Sequence, residues 1–172
     1  MNRTVRNRLI GLLIAALVFL VDQALKSWLT GPLQLEQVRV IDLLPVFDLR
    51  FTQNFGVSLG LFTAGSPEGR WALVAMTGAI ALFVLVWLMR ERKMGDIAAL
   101  SLVLGGAAGN IRDRFQFGYV IDYADLHFGE WRPFLIFNLA DAAITIGVLI
   151  ILARSLLSRE KPDANTEPAP ES

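Results

Sequence analysis

The sequence predicts a membrane protein: an all-α bundle of four transmembrane helices with a small extracytoplasmic β-sheet. The 172-residue chain is 54% hydrophobic and only 19% charged, whereas a soluble domain usually carries about 25% charged residues. Four separate apolar segments approach the roughly 20 residues that a bilayer-spanning helix needs. Lysine and arginine cluster before the first segment, between the second and the third, and after the fourth, as expected of a multi-pass membrane protein.

The composition also excludes several kinds of chemistry. The formal net charge is zero, which removes the basic excess expected of a nucleic-acid-binding protein, so no nucleic-acid partner is predicted. The chain has no cysteine, and its one histidine is His127. Thiol nucleophiles, disulfides and Cys/His metal sites are therefore ruled out, and any catalysis must use carboxylates, hydroxyls, lysines or the backbone.

The four predicted spans cover residues 9–29, 71–89, 95–111 and 134–157. The first follows three arginines, a pattern also typical of a cleaved signal peptide, but no A-x-A site follows it and three more apolar segments come later. The second has nineteen uncharged residues and is the clearest span. In the third, Gly105 and Gly109 form a small-xxx-small pair that would let a neighbouring helix approach closely.

The basic residues predict the orientation. With four spans, all three Lys/Arg clusters fall on one side of the membrane, which the positive-inside rule assigns to the cytoplasm. Both termini are then cytoplasmic, residues 158–172 form a Pro-rich disordered tail, and residues 30–70 and 112–133 lie outside. The clusters are Arg3, Arg6 and Arg8; Arg90, Arg92 and Lys93; and Arg154, Arg159 and Lys161.

The two outer segments have the patterns of strands. Residues 37–40 and 48–52 alternate polar and apolar side chains, and residues 119–128 are rich in aromatic and β-branched types. Gly56 and Gly60 suggest tight turns. We therefore expect a small β-sheet lying on the outer membrane surface.

Four ionisable residues converge at one depth, at the outer ends of their segments: Asp22, Lys26, Asp122 and Asp141. Ionisable groups in or beside spans are costly and are functional candidates for that reason. Asp22 and Lys26 have the i, i+4 spacing of a helical ion pair. For these two residues, we favour a pair that neutralises itself near the lipid headgroups over a direct catalytic role.

Asp122 and Asp141 together suggest an aspartic dyad. Two carboxylates held close together cannot both ionise, so one stays protonated as an acid while the other activates water as a base. This chemistry suits amide hydrolysis and needs neither a metal nor a covalent nucleophile. Asn138 and Thr145 share a helix face with Asp141. An alternative is that Asp141 merely benefits from the positive end of its helix.

Asn110 and Arg114 share one face at the end of the third span. They are placed to donate hydrogen bonds that orient carboxylates or substrate carbonyls. The alternative interpretation is a polar stop at the membrane interface.

Five motifs, in this order, resemble the lipoprotein signal peptidase (signal peptidase II) family, aspartic peptidases of the bacterial inner (cytoplasmic) membrane. The resemblance runs from about Arg8 to Leu157. The motifs are Val21-Asp22-Gln23 with Lys26; Asn54-Phe55-Gly56; Gly109-Asn110-Ile111-Arg112-Asp113-Arg114; Val120-Ile121-Asp122-Tyr123; and Phe137-Asn138-Leu139-Ala140-Asp141.

The resemblance implies a specific reaction without a cofactor. Members of the family remove signal peptides from prolipoproteins that carry a diacylglyceryl group, cutting just before the lipidated cysteine. It also implies membrane lipid as a partner, globomycin as an inhibitor, a β-cradle on the membrane surface, and Asp122 and Asp141 as the catalytic pair. The implied substrate-binding or supporting residues are Asp22, Lys26, Asn54, Gly56, Asn110, Arg114 and Asn138.

One motif departs from the family. Where the family usually has Asn-x-Gly-Ala-Ala-Phe, this chain continues from Asn54 and Gly56 into Val57, Ser58 and Leu59. We expect this departure to change the shape of the substrate pocket and not the activity.

Two other functions compete with this interpretation. A serine–lysine peptidase would use Ser58 as nucleophile and Lys26 as base. A small transporter or proton relay would use Asp22 and Asp141 as intramembrane carriers. The transporter is less favoured, because the polar residues cluster at one interface and the sequence contains no internal repeat of the kind many transporters show.

Overall fold

The computed structural model describes residues 2–56 and 66–159. Within these ranges, four helices are long and apolar enough to cross a membrane, and a three-stranded antiparallel sheet accompanies them. This confirms the predicted fold class. The helices are α1 (Arg3–Thr30), the one-turn α2 (Leu35–Val38), α3 (Pro67–Arg90), α4 (Met94–Phe117) and α5 (Leu139–Arg159), and the strands are β1 (Val40–Leu44), β2 (Phe47–Asn54) and β3 (Val120–Leu126).

Helix α4 lies at the centre of the bundle and packs against α1, α3 and α5. A Cβ atom at Gly105 would lie 2.5 Å from the carbonyl oxygen of Ala15 in α1, and one at Gly109 would lie 2.6 Å from Oδ2 of Asp22. The prediction that this glycine pair allows a close helix approach is therefore confirmed, and the partner is α1.

The outward faces of the helices are apolar. Leu13, Leu17 and Phe83 are each more than 60% exposed, which would be unfavourable in water and is suited to lipid. The buried apolar side chains form two clusters, one between α3 and α4 around Leu88, and one beneath the sheet around Phe51.

Two helix ends differ from the predicted spans. Helix α4 continues six residues beyond 111, to Phe117. Gly118 follows it with a φ of +89°, which ends the helix. Residues 112–117, expected in the outer segment, are therefore its last turns. Helix α5 begins at Leu139, five residues later than predicted, because Asn138 caps it and residues 134–138 lie outside the helix.

The sheet has the order β1-β2-β3, with β2 paired to both neighbours. The predicted strands at 48–52 and 119–128 are confirmed, but the one at 37–40 is wrong except for its last residue. Leu35–Val38 form a helical turn, because Leu35 is buried in the cluster beneath the sheet and its carbonyl accepts a hydrogen bond from Arg39 N at 2.8 Å.

Some predictions fall outside the described residues. These are the turn at Gly60, the altered positions Val57, Ser58 and Leu59, and nearly all of the predicted tail at 158–172.

Candidate active site

Asp141 is held by a reciprocal cap at the start of α5. The side-chain oxygen of Asn138 accepts a hydrogen bond from Asp141 N at 2.9 Å, and Oδ2 of Asp141 accepts one from Asn138 N at 3.2 Å. This is the capping-box arrangement, in which the residue before a helix and the third residue within it satisfy each other's amides. The backbone and side chain of Asp141 are therefore fixed together.

The other free amides of this helix end are bound by neighbouring elements. Leu139 N donates to the hydroxyl of Tyr123 in β3 at 3.1 Å, and Ala140 N donates to Oδ1 of Asp22 in α1 at 3.1 Å. Because helix-end amides need such partners, β3 and α1 both determine where α5 begins.

Asp122 lies in the middle of β3 and is 1% exposed. Its Oδ1 accepts a hydrogen bond from Asn138 Nδ2 at 2.6 Å, and its Oδ2 accepts one from Asn54 Nδ2 at 2.9 Å. Burial, followed by the nearby charge of Asp141, raises the pKa of Asp122 to about 6 despite these two hydrogen bonds.

Asn138 connects the two carboxylates. Its side-chain nitrogen donates to Asp122 while its backbone nitrogen donates to Asp141. Two carboxyl groups that share one small residue in this way lie close together, so the structure brings together the pair that the sequence singled out.

Asn110 completes the set of donors around Asp141. Its Nδ2 donates to Oδ1 of Asp141 at 2.7 Å, while its Oδ1 accepts from Asn138 Nδ2 at 3.3 Å and from Lys26 Nζ at 3.5 Å. Because two donors face the amide oxygen, the amide nitrogen is directed to the carboxylate.

Arg114 lies one turn along α4 from Asn110 and interacts electrostatically with Asp141, Asp122 and Asp113. Its Nε is buried and has no hydrogen-bond partner within the described parts of the chain. A buried donor without a partner beside two carboxylates is suited to bind a carbonyl or carboxylate oxygen of a substrate.

Asn54 is oriented by the turn that follows β2. Its side-chain oxygen accepts a hydrogen bond from Gly56 N at 2.8 Å, which leaves its nitrogen to face Asp122. Gly56 has a φ of +85°, a conformation that strongly favours glycine, and this supports the tight turn predicted there.

Asp22 and Lys26 form the expected ion pair, at 2.9 Å, and both side chains are buried within the protein. Asp22 is 0% and Lys26 2% exposed, and Lys26 also pairs with the equally buried Asp113 at 2.7 Å. Gln23 donates to Asp22 and to Asp113, each at 3.0 Å. The expected ion pair is therefore confirmed, but it is not a pair on its own: it belongs to a buried network that supports Asn110 and the α5 cap.

Sequence reasoning missed the supporting roles of Asp113, Gln23 and Tyr123. The role of Asp113 could have been predicted, because it follows Asn110 by three residues. Extending α4 beyond residue 111 would have placed both on the same face of the helix. No sequence signal marks the Tyr123 hydroxyl, because its partner is a backbone amide.

Two cavities reach the two carboxylates, one at each, and they share Phe134 and Leu135 in their lining. One, of about 730 Å³, is lined by Asp122, Asn54, Arg132 and residues of β2. Another, of about 310 Å³, is lined by Asp141 and Thr145 together with apolar side chains such as Phe134 and Ile146. A chain crossing the dyad would therefore pass from an almost wholly apolar cavity to one that also offers polar and charged side chains.

This fold and site define a small multi-pass membrane protein with two hydrogen-bonded carboxyl groups at one end of its bundle. The family model of signal peptidase (SPase) II matches residues 14–157. The chain therefore belongs to the signal peptidase II family and is a membrane peptidase, which confirms the resemblance carried by the five motifs.

Individual relatives agree with this assignment. The chain is 53% identical over 151 residues to the lipoprotein signal peptidase of Sphingopyxis alaskensis, covering 88% of this chain and 87% of the relative. It is 52% identical over 154 residues to that of Rhizorhabdus wittichii, covering 90% of each. Its fold is similar to that of a bacterial membrane enzyme solved by the in meso method at 2.3 Å resolution, with a TM-score of 0.75, 25% identity and coverage of 92% and 94%.

Proposed function

We propose that this protein is an aspartic endopeptidase that removes signal peptides from diacylglyceryl-modified prolipoproteins, cutting before the lipidated cysteine. Family membership and the relatives named lipoprotein signal peptidase support the substrate class. The observation that carries the mechanism is Asn138, which donates one hydrogen bond to Asp122 and another to Asp141.

The surroundings of the two carboxyl groups assign their roles. The pKa of about 6 makes Asp122 hold a proton more readily than an ordinary aspartate, so Asp122 is assigned as the acid. Asp141 accepts hydrogen bonds from Asn110 and Asn138 at the positive end of α5, an arrangement that favours negative charge. Asp141 is therefore the base.

The reaction then proceeds by proton exchange. Asp141 takes a proton from water as the water oxygen bonds to the scissile carbonyl carbon, and Asp122 gives its proton to the carbonyl oxygen. In the second step the C–N bond breaks, the amine nitrogen gains the proton held by Asp141, and a hydroxyl proton returns to Asp122. Arg114 and Asn110 are the donors available to the developing oxyanion.

The proposal places the site at the outer face of the bacterial inner membrane, with both termini in the cytoplasm. The signal helix would lie in lipid beside α5, next to the apolar cavity at Asp141. Globomycin would compete for the same site.

The dyad is tested by replacing each aspartate with asparagine, which keeps the size and removes a proton-exchanging group. Asp122→Asn and Asp141→Asn should each lower turnover about a thousandfold or more, and the double variant should be little worse, because residues that act as a unit are non-additive. Asp42→Asn, an exposed aspartate of β1, is the matched control and should keep full turnover. A wild-type rate from either dyad variant would rule out the aspartic mechanism.

The substrate class needs a separate test with purified protein. A lipid-modified precursor should be cut and the same precursor without the diacylglyceryl group should not, because acyl chains contribute about 0.8 kcal/mol per buried CH₂ and hold the cut site at the membrane interface. Equal cleavage of both precursors would show that the lipid is not recognised.

The serine–lysine alternative is disfavoured by the state of Lys26. Its Nζ lies 2.9 Å from Asp22 and 2.7 Å from Asp113, and these buried contacts hold the amine that this mechanism would need as its base. Ser58→Ala should therefore keep most of the activity.

A further inference from the structure

Two arginines share one buried carboxylate on the sheet beside the site. Asp125 is 0% exposed, and its Oδ2 accepts a hydrogen bond from Arg50 Nε at 2.8 Å. Arg132 Nε lies 3.1 Å from Oδ1 and 3.2 Å from Oδ2 of the same residue. The neighbouring carboxylate, Asp48, is turned to His127 at 3.0 Å. Asp125 thus fixes both arginine side chains in place.

Only one of these two arginines faces the dyad. Arg132 lines the cavity of about 730 Å³ that also contains Asp122, and Arg50 is not among the described residues that line it. The Arg132 side chain is 40% exposed and uses only its Nε to bind Asp125. No hydrogen bond of its terminal nitrogens is found in the described part of the chain, so a positioned guanidinium at the cavity wall keeps donors for a ligand.

The two cavities indicate which part of the substrate would lie beside the Arg132 guanidinium. The cavity at Asp141 is lined mainly by apolar side chains, as the signal helix requires. The cavity at Asp122 also has apolar side chains, such as Phe55 and Ile136, but it adds the polar groups of Asn54, Gln53 and Arg132. The polar chain that follows the cut site therefore fits the Asp122 side.

We infer that Arg132 forms a subsite for a carboxylate side chain in the first residues after the lipidated cysteine of the substrate. The inference rests on the proposed function, because it needs the scissile bond to lie at Asp122 and Asp141. Because Asp125 already fixes the Arg132 guanidinium, this side chain loses little conformational freedom when it binds a carboxylate. This favours substrates that carry an acidic side chain.

The test uses full-length protein in phosphatidylcholine vesicles and diacylglyceryl-cysteine peptides with Asp, Ser or Lys in the second position after the cysteine. Wild-type protein should prefer the Asp peptide over the Lys peptide by about fivefold in kcat/KM, the size expected of a half-exposed charge pair. Arg132→Gln should reduce this ratio to about one, and Arg132→Lys should keep a preference for Asp.

Arg50→Gln is the matched control, because Arg50 also binds Asp125 through its Nε but is not among the described residues that line the cavity. It should leave the Asp-to-Lys ratio at the wild-type value. An equal loss of preference in Arg50→Gln and Arg132→Gln would overturn the inference by assigning the effect to the sheet, as would an unchanged ratio in Arg132→Gln.

Repeating the assay with phosphatidylglycerol in the vesicles tests whether Arg132 binds the phosphate of a lipid headgroup and not the peptide. If Arg132 serves a headgroup phosphate, Arg132→Gln will slow all three peptides equally and only in these vesicles, and the peptide subsite is refuted. Failure of the wild-type protein to cut any peptide before the cysteine would refute the proposed function itself, a result distinct from cleavage without charge preference.

Discussion

At the scale of single residues, the site depends on amides that each bind two partners. Asn54 donates to Asp122 and accepts from Gly56 N, and Asn138 serves both aspartates. An amide offers a donor and an acceptor without adding charge, so these residues can orient carboxylates while leaving one of them free to keep a proton.

The hydrogen bond from Asn54 to Asp122 predicts the direction in which the pH profile of kcat/KM should move when Asn54 is replaced. Asp122, with a pKa of about 6, must keep its proton to act as the acid, so kcat/KM should fall as the pH rises through that value. The Asn54 hydrogen bond lowers the pKa of Asp122 by stabilising its ionised form. Asn54→Ala should therefore raise this pKa and move the alkaline limb of the kcat/KM profile upward by about one pH unit.

The control for this experiment is Gln53→Ala. Gln53 lines the same cavity but makes no hydrogen bond to Asp122. Its alkaline limb should coincide with that of the wild type. A downward shift in Asn54→Ala would mean that Asp122 is not the group that must hold a proton.

At the scale of elements, the first turn of α5 is positioned by its contact with α4. A Cβ atom at Gly106 would lie 2.4 Å from the carbonyl oxygen of Ala140, the residue before Asp141. Since a backbone atom cannot move aside without moving the helix, Gly106→Ala should shift the start of α5. We expect a loss of about 1–3 kcal/mol in stability and at least a tenfold drop in turnover.

Gly78→Ala in α3 is the comparison, because no atom lies within 4 Å of its added Cβ. It should unfold at the wild-type temperature or slightly above, since alanine is the better helix former. Thermal unfolding in detergent and turnover measure both variants, and equal behaviour of the two would contradict the close packing of α4 on α5.

The same elements show how far the sequence alone could lead. Apolar length predicted the four helices, alternation predicted β2, and a run of aromatic and β-branched residues predicted β3, because each of these is a local pattern. The contact of Asn54 with Asp122 could not be predicted, since it depends on the pairing of β2 with β3 across 68 residues. The spacing of Asn138 and Asp141 suggested one helix face, but a capping residue three positions before an acid has the same spacing.

At the scale of the whole molecule, contacts place the basic clusters at one end of the bundle. Arg8 Nε donates to the carbonyl oxygen of Glu91 at 3.2 Å, which joins the start of α1 to the connection between α3 and α4. Arg154 pairs with Asp96 at 2.5 Å, which brings the end of α5 to the start of α4. The dyad lies at the opposite ends of these helices.

This arrangement predicts the topology in the membrane. The positive-inside rule puts the basic end in the cytoplasm, so the dyad and the sheet face outward. Glu68 lies in the first turn of α3 and Arg92 just beyond its last residue. The 24 residues of this helix span about 36 Å at 1.5 Å each, so the two positions should lie on opposite sides of the membrane. Both are exposed, as is Glu130 in the connection between β3 and α5.

Single cysteines can report each side directly, because the chain has no cysteine of its own. Cysteine at Glu68 or Glu130 should react with an impermeant thiol reagent in intact spheroplasts, and cysteine at Arg92 should react only after the membrane is opened. Labelling of the Arg92 position in intact spheroplasts, with protection of the other two, would invert the topology. The dyad would then face the cytoplasm, and a peptidase acting at the outer surface would be excluded.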